Sequence, residues 1–209
     1  VHSDGTPNKG GEGLYGHSRY FPKNEKNSGV EFMIGFLYPE VCNQQGDQGY
    51  KDWLDANQIE TCVVEDEIVD NLIGLVVGDV SEQGAILLES KLENHWLAES
   101  IAQGLTALAI GRAGQVLSKH LGIEPQMNSY KSQYVSTVFK GEELVGYVNG
   151  PHDLDQPITE TEIGKGRLVS CALLGPVAVV NPWLEEYCFG IKTASRNDLV
   201  EHYKKLLAD

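Results

Sequence analysis

The chain has 209 residues, 41% of them hydrophobic and 22% charged, a composition that suits one large globular domain able to bury a core without staples. Sixteen Lys and Arg stand against 30 Asp and Glu, a formal net charge of −14. Such a surface repels phosphate backbones and anionic lipid, so broad electrostatic binding of nucleic acid or membrane is disfavoured. Residues 1–30 carry four basic against three acidic side chains, which leaves −15 on the remainder.

In chain order, residues 1–29 are rich in Gly, Asn, Ser and Lys and read as an irregular N-terminal arm, with residues 30–209 as a single globular domain. Val30–Tyr38 reads as a buried strand stopped by Pro39. Tyr50–Asn57 reads as a short helix, Ile59–Val64 as a strand and Val64–Leu72 as a helix with an acidic start. Leu72–Val80, the turn Ser81–Gly84 and Ala85–Glu89 read as a β-hairpin. Asn94 can cap one long helix to about His120, closed by Gly122. That helix is full of small residues, among them Ala107, Ala109, Gly111 and Gly114, so a neighbour can approach it closely, either in the monomer or in a homo-oligomer. Strands follow at Tyr134–Phe139, Leu144–Val148, Arg167–Leu174, Val177–Val180 and Tyr187–Lys192. A last helix, Ser195–Leu207, carries a capping box at Ser195 and Asp198. The expected class is α/β or α+β: a mixed sheet, one long central small-residue-rich helix and a C-terminal helix.

The stretch Leu97–Leu117 holds Glu99, Gln103, Arg112 and Gln115 and is too polar to cross a membrane. No signal peptide is evident, and the four cysteines lie in no metal-binding spacing. The expected compartment is cytoplasmic, with secretion as the other reading.

Chemistry concentrates first at residues 65–91. Asp70 and Asp79 flank the expected first strand of the hairpin, and Glu89-Ser90-Lys91 ends the second. On a strand, residues two apart share a face, so Glu89 and Lys91 are expected to be neighbours. Carboxylates so placed can hold Mg²⁺ or Mn²⁺, and the lysine can orient a water. This arrangement resembles the PD-(D/E)XK nuclease superfamily. The resemblance implies a metal at Asp70 or Asp79 with Glu89, catalysis by Glu89 and Lys91, help from Glu67 and Gln103, and a nucleic acid phosphodiester as substrate.

A zinc site from His2, Glu12, His17, His95, Glu93 or His152 lacks any helical ligand spacing, and His152-Asp153 reads as a turn. Cys171 and Cys62 read as structural thiols. GGEGLYG and GRAGQ match no phosphate-binding loop, and Gly111 reads as lying inside the long helix. Trp53, Trp96, Trp183 and Tyr187 are candidate anchors for a partner. Two functions are therefore expected as alternatives: a metal-dependent, nuclease-like hydrolase, or a non-catalytic acidic protein that binds a basic protein partner.

Overall fold

The computed structural model describes residues 32–93, 96–125, 128–175, 177–194 and 197–208. The N-terminal arm, Asn94, His95 and Ser195 lie outside the described residues.

The elements run β1 (Met33–Leu37), a 3₁₀ turn (Pro39–Val41), α1 (Gln44–Ala56), β2 (Glu60–Val64), β3 (Leu72–Val77), α2 (Glu82–Lys91), α3 (Leu97–Gln103), β4 (Thr106–Ile110), α4 (Arg112–His120), β5 (Lys131–Phe139), β6 (Glu142–Gly150), β7 (Ile158–Ile163), β8 (Gly166–Cys171), β9 (Leu173–Leu174), α5 (Val177–Val180), α6 (Trp183–Phe189) and α7 (Asn197–Ala208). The content is mixed α/β, as expected. The larger sheet has the order β2-β1-β3-β4-β8-β7. Its first five strands are parallel, and β7 closes one edge antiparallel to β8. Counting parallel strands only, this is the 2-1-3-4-5 order of doubly wound sheets.

Both faces are covered, so β3 and β4 are apolar runs with no polar alternation. One core lies under α2, α3 and α4 and is built on Leu75, Val77, Ala107, Ala109 and Leu168. The other lies between α1, α5 and α6 and the inner face of a second sheet, β5-β6-β9, through Val135, Leu144 and Val148. The chain leaves the large sheet at Cys171 and joins the small one at Leu173. Buried Asn181 ties the α5–α6 junction to β6 by accepting from the Val145 amide and donating to its carbonyl.

Several expectations are corrected. Ala85–Glu89 is helical: Ser81 Oγ accepts from Gly84 N at 3.0 Å as an N-cap, and Leu88 turns into the core. Residues 64–72 are no helix but a turn-rich crossing into β3. The single long helix is instead α3, β4 and α4. Gly104 and Gly111 break it at positive φ, and the alanine-rich TALAI is a central strand. Alanine's helical preference is overridden because small residues suit a strand packed on both faces. Val177–Val180 and residues 187–189 are helical, held by the Pro182–Gly190 frame of α6, and Gly190 closes that helix in the left-handed conformation. The strands expected at Tyr134–Phe139 and Leu144–Val148 lie within β5 and β6, which pair as an antiparallel hairpin. Its two-residue turn places Lys140 at φ 54 and Gly141 at φ 90.

Candidate functional site

In doubly wound sheets, ligands and chemistry gather at the carboxyl ends of the parallel strands. Here that edge is formed by Tyr38 after β1, Gly78-Asp79 after β3, Gly111 after β4 and Ala172 after β8. The crevice between β1 and β3, where the winding reverses, is filled by the chain itself. Asn43 N donates to Asp79 O at 2.6 Å, and Val41 O packs on Gly84, where an added Cβ would meet it at 2.7 Å. Tyr38 Oη donates to Asp66 Oδ1, and Lys91 lies 4.5 Å over the Tyr38 ring.

The turn from β4 into α4 is the unusual feature. Gly111 has φ 58 and ψ −132, a conformation that side chains resist, and α4 begins at once. A sharp, strained strand-to-helix turn of this kind is how many hydrolases present a nucleophile, with the next residue's amide facing the developing oxyanion. At this position the chain has no side chain. A Cβ added to Gly111 would lie 2.2 Å from Asp79 Oδ1 and 2.6 Å from its Cγ. The same Oδ1 accepts from Arg112 N at 2.8 Å. The carboxylate of Asp79 therefore occupies the space of the missing side chain and takes the amide that would face an anion. Burial pushes the Asp79 pKa above the usual carboxylate value, while the Arg112 and Val80 amides pull it back.

The other sequence-expected residues do not converge on Asp79. Asp70 is exposed before the first residue of β3, whereas Asp79 follows its last. The six residues of β3 alone separate them by roughly 20 Å, so no single ion can join them. Glu89 lies on α2 and pairs with Lys119 of α4. Lys91 pairs with Glu40 at 3.0 Å. The Glu-x-Lys pair is helical, so its two side chains point about 200° apart around the axis and do not share a face. Glu67 is exposed, and Gln103 ends α3 with its amide on Glu99. Among the described residues no group of three or more His, Cys, Asp or Glu is arranged to hold a metal ion.

His152-Asp153 forms the expected turn: Asp155 N donates to Asp153 Oδ1 at 2.9 Å. Cys62, Cys171 and Cys188 are free thiols. Burial raises Cys62, pushes Cys171 up to about 12 and raises Cys188 further still, so none of these three is a ready nucleophile. Trp183 and Tyr187 pack with Phe139 rather than standing free.

Sequence reasoning missed two buried charge sites. Glu160 accepts from Arg167 at 2.9 Å and from Tyr187 at 2.7 Å, and pairs with Lys140 at 2.6 Å. Burial alone would raise Glu160, but these three partners hold it below the usual carboxylate range. Glu185 is wholly buried on α6. Burial pushes it up to about 8, although its own backbone amide and the nearby Tyr50 and Thr193 hydroxyls act in the opposite sense. Neither of its oxygens, nor either hydroxyl, sits in hydrogen-bonding geometry with a partner. No sequence pattern marks Glu185, because its neighbours come from α1 and from beyond α6.

No protein-family model matches the sequence, and no curated protein matches it. Solved structures do resemble the fold. A chain in the structure of PurLQS from Thermotoga maritima is 16% identical, has a TM-score of 0.51, and aligns over 72% of this chain and 90% of its own. Gan42B, a GH42 beta-galactosidase from G. stearothermophilus, is 16% identical with a TM-score of 0.46, over 79% of this chain and 31% of its own. The likeness of the first is one of fold alone.

Proposed function

We propose that this chain is a non-catalytic, acidic binding domain that docks a basic protein partner. The reading rests on one observation above all. The strand-to-helix turn at Gly111 carries no reactive side chain, and Asp79 fills its place and takes the Arg112 amide. A turn whose anion-accepting amide is bonded to the chain's own carboxylate is poorly placed to stabilise an oxyanion.

The docking surface that fits best is the β2 edge. Among the described residues β2 pairs only with β1 and stands at the edge of the large sheet. Val63 and Ile68 are 53% and 51% exposed there. Exposed Glu65, Asp66, Glu67 and Asp70 follow Val63 along the chain, on either side of Ile68 in the crossing toward β3. Two aliphatic side chains among acidic ones suit a cationic, amphipathic segment, with charge setting the association rate and the aliphatic contact its lifetime.

Fluorescence anisotropy with a labelled peptide of alternating lysine and leucine tests this. Binding is expected to weaken steeply with salt and to fall at least tenfold in Glu67→Lys/Asp70→Lys. Equal binding by that variant overturns the docking surface. Cleavage of DNA or RNA with Mg²⁺ or Mn²⁺, abolished by Glu89→Ala, overturns the non-catalytic reading in favour of the nuclease-like one.

A further inference from the structure

A cavity of about 170 Å³ lies beside the first turns of α4, with neither Gly111 nor Asp79 in its lining and no residue of β2. It opens between α4, the strands β7 and β8, and the loop that follows β6. Beside it Gly114 brings α4 very close to β8: a Cβ there would lie 1.9 Å from Ser170 Oγ.

Gln115, whose amide donates to the Pro151 carbonyl, lines it together with six further uncharged polar side chains: Ser118, His152, Gln156, Thr159, Thr161 and Ser170. None of these six makes a side-chain hydrogen bond to another described residue. Ser118 and His152 are each only 8% exposed. Gln156 and Thr159 are exposed and Thr161 and Ser170 half-buried, so the set holds donors and acceptors open to an occupant that can bond them. His152 is held neutral by burial and by the nearby Arg112, which leaves its ring one donor and one acceptor. Hydroxyls, a neutral imidazole and a carboxamide all offer both roles. At the mouth stand Glu124 and Asp153, which oppose an anion. The space compares with an engineered cavity of about 150 Å³ that admits benzene, so roughly six to eight non-hydrogen atoms fit.

We infer that this cavity binds a small neutral polyol, either a free linear polyol or one edge of a sugar ring. Alternating hydroxyls on such a ligand match the hydroxyl rows of Thr159 and Thr161 on β7 and Ser170 on β8, and present neither a charge for the mouth to repel nor an apolar surface for the lining to leave unsatisfied.

The test follows the His152 ring Cε1–H resonance in ¹H–¹³C NMR spectra of the full chain. Glycerol and erythritol represent free polyols, methyl β-D-glucopyranoside a sugar edge, and acetate and methylammonium the charged alternatives. A saturable shift with a polyol or the glucoside at millimolar concentration is expected, the stronger of the two identifying the source. It should weaken at least tenfold in Thr161→Val and in Ser170→Ala, with melting temperatures close to that of the parent. No shift with any neutral probe up to 100 mM overturns the inference, and so does a stronger response to acetate or methylammonium. A neutral-probe shift that survives both variants equally overturns the assigned site.

Discussion

Glu185→Gln should convert a pH-sensitive protein into a less sensitive one, and more stable at alkaline pH. The native glutamate is fully buried, and its pKa is pushed up to about 8 chiefly by desolvation. In the unfolded chain a glutamate titrates near 4.3. Between these values the native state holds a proton that the unfolded state has lost. Stability therefore falls as pH rises through that window and levels off above about 8. One pKa unit corresponds to about 1.4 kcal/mol, so the whole window is worth roughly 5 kcal/mol. That is a large part of the ~5–15 kcal/mol typical of a domain. Glutamine keeps the shape and adds an amide that can meet the Tyr50 and Thr193 hydroxyls, but it cannot ionise. Urea unfolding of both proteins from pH 4.5 to 9 measures the effect. The stability gap should widen in the variant's favour with rising pH, by several kcal/mol across the range. A gap that stays constant with pH refutes the argument that Glu185 is neutral in the fold.

Three further outcomes are expected. Arg167→Met should cost about 2–3 kcal/mol, below the ~3–5 kcal/mol of a fully buried pair, since Lys140 and Tyr187 still hold Glu160. It should also flatten the acid limb: Glu160 lies below its usual pKa, so its contribution is present above about pH 4.5 and is lost as pH falls through its folded value, which unfolding at pH 3 to 6 reads. Gly74→Ala should cost roughly 1–3 kcal/mol by urea unfolding, because its Cβ would lie 2.2 Å from Phe189 Cδ1, and Phe189→Leu should recover part of that loss. Glu89→Ala should change stability by less than about 1 kcal/mol, since its pairing with Lys119 is exposed, and EDTA, Mg²⁺ and Mn²⁺ should leave the melting temperature of both proteins unchanged.

The sequence made some elements legible and hid others for physical reasons. The β5–β6 hairpin was legible because Lys140-Gly141 is a compact turn between alternating strands. β1, β2 and β3 were legible as apolar or β-branched runs. The run Ala85–Glu89 was misleading because apolar runs of that length occur in either state, and the deciding signal was the Ser81 cap rather than the run. β4 was hidden by its alanines, and with it went the strand-to-helix turn at Gly111, which read as helix interior. Asp79 was singled out, but for a metal role. Its true neighbours, Gly111 and Arg112, are more than 30 residues away along the chain and meet it only when β3 and β4 pair.

A double-mutant cycle of Gly111→Ala and Asp79→Ala tests most directly whether the Asp79 carboxylate occupies the empty turn. Alone, Gly111→Ala should cost about 1–3 kcal/mol of backbone strain and a similar amount from displacing Asp79 and orphaning the Arg112 amide. With Asp79 already removed, only the strain remains. Equilibrium urea unfolding should therefore give a coupling energy of at least about 1 kcal/mol between the two sites. Strict additivity would mean that the carboxylate does not fill that space, and the turn would have to be regarded as open for chemistry.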